Sequence, residues 1–198
     1  MQRIGLILLA AGSSSRLGQP KQLLPYQQRT LLRQAAEVAA TSGCAPLVLV
    51  TGALHDELLP EVAGLPFYVV RNEDWAQGMS TSIQAGLDVL EMQTKAAPLD
   101  AAIVMLCDQP LLTPGILRQL VTQFQATGQP LVACEYGGTR GVPALFGQTL
   151  FLALHALQGP AGARELLRQY ADLPAVDFPG GAVDVDTVAQ YQQLLAQP

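Results

Sequence analysis

Just past its first apolar run the chain reads Leu9-Ala10-Ala11-Gly12-Ser13-Ser14-Ser15-Arg16-Leu17-Gly18-Gln19-Pro20-Lys21, a loop of small residues carrying two cations. Gly12 and the serines let backbone N–H groups come close to anionic oxygens, while Arg16 offers a planar fork of donors and Lys21 a mobile point charge. This is equipment for holding a triphosphate. The spacing contains neither Gly-x-Gly-x-x-Gly nor Gly-Lys-Ser/Thr, which disfavours the dinucleotide fingerprint and the Walker A loop. Taken alone, the same residues also describe a flexible Ser/Gly turn with a solvated Arg and Lys.

Two carboxylates are placed to complement that loop. The apolar run Ala101 to Cys107 ends in Asp108-Gln109-Pro110, and Asp184-Val185-Asp186-Thr187 stands near the C-terminus. Mg²⁺ takes one or two carboxylates together with phosphates and waters. Each Asp also has an ordinary reading, Asp108 as the opening of a turn before Pro110 and Asp186 as the cap of the last helix.

Gln77-Gly78-Met79-Ser80-Thr81-Ser82 precedes a helical pattern. Its N–H groups and the hydroxyls of Ser80 and Ser82 suit a polar ring edge, with Gly78 allowing close approach, and they equally suit an N-cap box. Arg140 and Arg164 lie in glycine-rich segments, Gly137 to Pro143 and Gly159 to Arg164, suited to an anionic second substrate. His55 and His155 read as structural or exposed. Cys107 reads as a buried small hydrophobe rather than a nucleophile.

The elements that must position these groups follow from periodicity. Ile4–Leu9, Leu47–Val50, Phe67–Val70, Ala101–Leu106 and Leu131–Ala133 are short apolar runs bounded by turn residues, and predict five strands. Helical spacing covers Thr30 to Thr41, with Thr30 as N-cap, Ser80 to Met92, with Ile83, Leu87 and Leu90 on one stripe, and Pro114 to Phe124. Strand followed by helix, repeated with short connections, predicts a three-layer α/β/α sandwich with a mostly parallel sheet. In such a sheet, ligands bind at the carboxyl ends of the strands, where the loop and Asp108 fall. After Gly137 the pattern changes to a short apolar piece, Pro143 to Phe146, helical stretches at about 148–157 and 162–171, and a Gln-rich solvated helix after Asp186.

With 198 residues, 49% hydrophobic and 14% charged, the chain reads as a single domain over residues 1–198. A net charge of −5 argues against nucleic acid or an anionic membrane as partner. The three scattered cysteines form neither a disulfide framework nor a zinc site. The N-terminal apolar stretch is too short to span a bilayer, so the expected location is the cytoplasm.

Leu-Ala-Ala-Gly-x-Ser-x-Arg-x-Gly-x-x-Lys, complete here from Leu9 to Lys21, resembles the signature of the nucleotidyltransferases with a glycosyltransferase-A-like, nucleotide-diphospho-sugar transferase-like fold. Within them the chain looks most like the molybdenum cofactor cytidylyltransferase group, through Asn72-Glu73-Asp74-Trp75, Gly78-Met79-Ser80 and Asp108-Gln109-Pro110. The resemblance implies Mg²⁺ held by Asp108 and Asp186. It implies a nucleotide on Leu9, Ala10, Ala11, Gly12, Ser13, Arg16, Lys21, Gly78, Ser80 and Ser82, with Arg16, Lys21 and Asp108 catalytic, and an acceptor on Arg140 and Arg164. The implied reaction is attack of the molybdopterin phosphate on the α-phosphorus of CTP with release of pyrophosphate, and a molybdoenzyme or its chaperone is the implied protein partner. Gly141-Val142-Pro143 replaces the family's Gly-His-Pro, and Pro160 replaces an Asp. Guanylyl transfer, a sugar or polyol phosphate acceptor, and a carrier without turnover therefore stand beside that reading.

Overall fold

The computed structural model describes residues 2–14, 17–170 and 175–196. Among these residues the strands are β1 (Ile4–Leu9), β2 (Pro25–Tyr26), β3 (Arg29–Thr30), β4 (Leu47–Thr51), β5 (Phe67–Arg71), β6 (Ala101–Leu106), β7 (Leu131–Tyr136), β8 (Thr139–Gly147) and β9 (Ala175–Asp177). The α-helices are α1 (Leu31–Ala40), α2 (His55–Leu58), α3 (Met79–Gln93), α4 (Pro114–Thr127), α5 (Phe151–His155), α6 (Arg164–Gln169) and α7 (Val188–Leu195).

Seven strands form one sheet in the order β5-β4-β1-β6-β8-β7-β9, with β8 running against its neighbours and the rest parallel. Successive side chains of a strand point to opposite faces. Accordingly Ile4, Leu6 and Leu8 pack with Leu32, Ala36, Leu117 and Leu120 of α1 and α4. Ile7 and Leu9 pack with Ile83, Leu87 and Leu90 of α3 and with Leu154 and Leu166 of α5 and α6. A three-layer α/β/α sandwich with a mostly parallel sheet results, as the periodicity predicts. Helix α3 approaches the sheet closely because position 86 is glycine; a Cβ there would lie 2.5 Å from Ile7 Cγ2.

The carboxyl half corrects several expectations. Seven strands build the main sheet instead of five, because Pro143 to Phe146 is the end of the nine-residue β8 inserted between β6 and β7. Strand β9 and the β2–β3 pair were not expected. The last helix is capped by Thr187, whose side chain accepts from Gln190 N–H, so Asp186 is left for another use. That helix is also not merely solvated, since Leu194 packs with Leu17, Leu24, Tyr26, Leu31 and Val185 in a small third cluster. No helix among the described residues is long and apolar enough to cross a membrane.

Candidate active site

The chain runs β1 to β4 to β5 toward one edge and then returns across β1 to β6, so the switch point of the sheet lies between β1 and β6. Their last residues, Leu9 and Leu106, are register partners. The loop after β1 and the turn after β6 are therefore side by side, where ligands of open α/β sheets bind.

Leu9, Ala10 and Ala11 are buried, and Gly12 and Ser13 are exposed. Ala10 N–H donates to Val50 O at 2.8 Å, and Gly52 abuts Ala11 so closely that a Cβ would lie 2.5 Å from Ala11 O. Ser14 holds a left-handed backbone (φ 55°). Its hydroxyl donates to Gln22 Oε1 and accepts from Lys21 N–H, both at 3.0 Å. Gln22 is 1% exposed and its Nε2 donates to Ala10 O at 3.1 Å and Gly12 O at 2.6 Å. Sequence reasoning missed Gln22, because a glutamine next to an exposed-looking lysine carries no sign of burial. Arg16 and Ser15 lie outside the described residues.

The loop ends by delivering Lys21 between two carboxylates. Its Nζ donates to Asp108 Oδ2 at 2.5 Å and Asp186 Oδ1 at 2.8 Å. Burial disfavours the ammonium, yet the charge of Asp108 and the hydrogen bonds to Asp108 and Asp186 outweigh that and hold its pKa above the ordinary lysine range. Val185 N–H donates to Asp108 O at 3.2 Å, which draws the chain before α7 across the end of β6 and sets Asp186 in place. Asp184, on the same strip, accepts from Gln190 Nε2 at 2.9 Å. Burial, then the charges of Asp186 and Asp108, raise its pKa.

Asp108 Oδ1 is buried with no hydrogen-bond partner. A buried, unpartnered carboxylate oxygen beside two further Asp residues is a donor set a hard divalent cation fits. Cys107 is no rival nucleophile: burial, then the negative charge of Asp108, push its thiol up to about 12.

Beside these groups opens a cleft of about 870 Å³, lined by Asp108, Gln109 and Asp184 and by three arginines, Arg140, Arg164 and Arg168. Apolar side chains of Met79, Ile83, Leu106 and Val142 also line it. Arg140 is fixed from both ends, its Nη1 donating to Tyr170 O at 3.2 Å and its Nε lying 3.7 Å from Glu135 Oε2. Arg164 and Arg168 are exposed and one turn apart on α6. Arg168 was not among the sequence candidates, although its i+4 relation to Arg164 was visible.

The segment before α3 forms the adjoining wall. Gly78 has φ 116°, and a Cβ there would lie 2.6 Å from Pro160 Cα and 2.8 Å from Gly159 O. Ser80 Oγ donates to Gly159 O at 2.8 Å, and Asn72 Nδ2 donates to Thr81 Oγ1 and Ser82 Oγ, each at 2.9 Å. The hydroxyls of Ser80 and Ser82 thus brace the turn itself. A further group, Asp88, Glu91 and His155, gathers on α3 and α5, and none of the three lines the cleft.

An open, mostly parallel α/β sheet with a cation-bearing small-residue loop and carboxylates at its switch point defines a nucleotide-handling class. The chain belongs to the MobA-like NTP transferase domain family, which matches residues 6–173, and is a nucleotidyltransferase with the nucleotide-diphospho-sugar transferase fold. It is 36% identical over 161 residues to the molybdenum cofactor cytidylyltransferase of Escherichia coli K12, covering 81% of this chain and 77% of that one. It is 34% identical over 204 residues to nicotine blue oxidoreductase of Paenarthrobacter nicotinovorans, covering 96% and 95%. Rv0371c of Mycobacterium tuberculosis H37Rv superposes with a TM-score of 0.83 at 30% identity over 99% of both chains, and its manganese complex with 0.77 at 29% over 100% of both.

Proposed function

We propose that the chain transfers a cytidylyl group from CTP to the phosphate of molybdopterin or the molybdenum cofactor, releasing pyrophosphate, in the cytoplasm. The observation that carries this reading is the placement of Lys21 between Asp108 and Asp186, with Asp108 in turn lining a cleft that Arg140, Arg164 and Arg168 also line. An oxygen of the acceptor phosphate attacks the α-phosphorus, and the bond from that phosphorus to the β-phosphate bridging oxygen breaks. The acceptor oxygen is already anionic, so no protein base or covalent intermediate is required.

In this reading Asp108 and Asp186 hold Mg²⁺, or Mn²⁺ as in the complex of the mycobacterial neighbour, and the ion supplies neutralisation of phosphate charge. Leu9 to Ser13 seat the triphosphate, and Lys21 and Arg16 offset the charge that builds on the leaving pyrophosphate. Gly78, Ser80 and Ser82 shape the surface for the base. Arg140 and Arg164 orient the acceptor for in-line attack. CTP is favoured over GTP because the relative at 36% identity is named a cytidylyltransferase. A molybdoenzyme or its chaperone is the partner that receives the product.

The test is calorimetric binding of CTP, GTP, ATP and UTP with Mg²⁺ or Mn²⁺, followed by pyrophosphate release on adding molybdopterin. Tight CTP binding with release supports the reading. Release with GTP or with a sugar phosphate reassigns base or acceptor, and binding without release makes the chain a carrier. Turnover of a redox dye with no triphosphate present would place it instead with the oxidoreductase it resembles at 34% identity.

A further inference from the structure

The amide of Gln22 reaches backward under the phosphate loop and takes two of its carbonyls, Ala10 O at 3.1 Å and Gly12 O at 2.6 Å. In a planar trans peptide the C=O of one residue and the N–H of the next point in opposite directions. Fixing Ala10 O and Gly12 O toward Gln22 therefore turns the N–H groups of Ala11 and Ser13 the other way. Gln22 is 1% exposed, so the carbonyls it holds face the protein interior and the opposed N–H groups face out of it. Among the described residues neither Ala11 N–H nor Ser13 N–H has a hydrogen-bond partner.

The other end of the same side chain sets a third element. Gln22 Oε1 accepts from Ser14 Oγ, which in turn accepts from Lys21 N–H, so one buried amide ties both ends of the loop and the backbone of Lys21 into a single network. The donors, acceptor and span of this side chain are all used. Leucine has the volume but no donors, and glutamate would set an anion against two carbonyl oxygens.

We propose that Gln22 is a positioning residue that presents the N–H groups of Ala11 and Ser13 to the phosphate oxygens of the triphosphate. It acts through the backbone and touches no substrate. This rests on the reading of the loop as a triphosphate cradle, and requires neither the base nor the acceptor proposed above.

The test uses inorganic tripolyphosphate and CTP as probes, with Gln22→Leu, Gln22→Glu and Gln22→Asn. Each hydrogen bond to a charged group contributes enough that Gln22→Leu and Gln22→Glu should weaken both probes about 10- to 100-fold. Gln22→Asn, one methylene shorter, should lose less. KM for the acceptor should stay within about twofold, since the acceptor wall is untouched, and this split separates positioning from a general loss of stability. In the wild-type protein the amide resonances of Ala11 and Ser13 should shift on adding tripolyphosphate, an arm that decides the matter even if the variants do not fold.

Unchanged tripolyphosphate affinity in a folded Gln22→Leu, or unmoved Ala11 and Ser13 amides in the wild type, overturns the proposal. Loss of probe binding in the variants with no pyrophosphate release by the wild type would uphold Gln22 and sink the transfer reaction. Normal transfer with indifferent variants would do the reverse.

Discussion

The Lys21 ammonium is held by Asp108 at 2.5 Å and Asp186 at 2.8 Å, residues 87 and 165 positions further along the chain. One positive charge thus stands between two negative ones, in the space a metal ion would contest. Removing it leaves the carboxylates facing each other. Lys21→Met should bind Mn²⁺ alone about five- to tenfold more tightly than the wild type, while transfer falls about 100-fold or more. Electron-spin-resonance titration of Mn²⁺ and a pyrophosphate-release assay check the two halves, and weaker Mn²⁺ binding would show that Lys21 supports the ion instead of competing with it.

Asp108→Asn keeps the shape of a buried residue and removes its charge. Transfer should drop about 100-fold or more, with the melting temperature moved by no more than about 5 °C, because volume and turn geometry are preserved. Wild-type activity in this variant would remove Asp108 from the site.

Gly78→Ala meets two obstacles, a φ of 116° and a Cβ placed 2.6 Å from Pro160 Cα. It should cost about 1–3 kcal/mol in urea unfolding and raise KM for the nucleotide. Gly115→Ala in α4 is the contrast, since the nearest atom to its Cβ is Thr113 Oγ1 at 3.4 Å and no left-handed backbone is involved. That change should be neutral or slightly stabilising.

Arg164→Ala and Arg168→Ala should each raise KM for the acceptor about tenfold and leave nucleotide affinity unchanged, because both line the cleft from α6. Initial-rate kinetics with each substrate varied in turn will separate the two. An effect on nucleotide affinity alone would place α6 on the other side of the reaction.

Burial pushes the Cys134 thiol from 9.0 up to about 12. Below pH 9 the folded and unfolded chains both carry the proton, and between pH 9 and 12 only the unfolded chain releases it, so stability falls as pH rises through that window. Cys134→Ala should shallow the decline, seen in urea midpoints measured from pH 8 to 11. All three cysteines are buried and free, so a thiol reagent at pH 8 should label the native protein slowly and the unfolded protein fully.

The parallel half of the sheet was legible because β1, β4 and β6 are buried on both faces and, like the half-exposed edge strand β5, read as apolar runs; β1 and β6 have the predicted limits. Strand β8 was hidden because Gly141 and Pro143 interrupt it and only its end is fully buried. Thr30 was recognisable as the cap of α1, where it accepts from Arg33 N–H, whereas Thr187 was passed over in favour of its neighbour Asp186. Within the site, residue types revealed the loop and the carboxylates. They could not reveal that Lys21 lies between Asp108 and Asp186, since that meeting depends on Val185 pairing with Asp108 across the end of β6. The inward use of Ser80, Ser82 and Gln22 was equally invisible, because a polar side chain shows its direction only in three dimensions.

Every strand of the sheet has been laid down by Asp177, yet Asp186 lies beyond them all. The scaffold and the loop after β1 are thus encoded ahead of one of the two carboxylates that hold Lys21. Under the proposed transfer, a fragment ending near residue 180 would keep every strand yet lose Asp186 together with Val185 and Leu194 of the third cluster, and with them both nucleotide turnover and part of its stability.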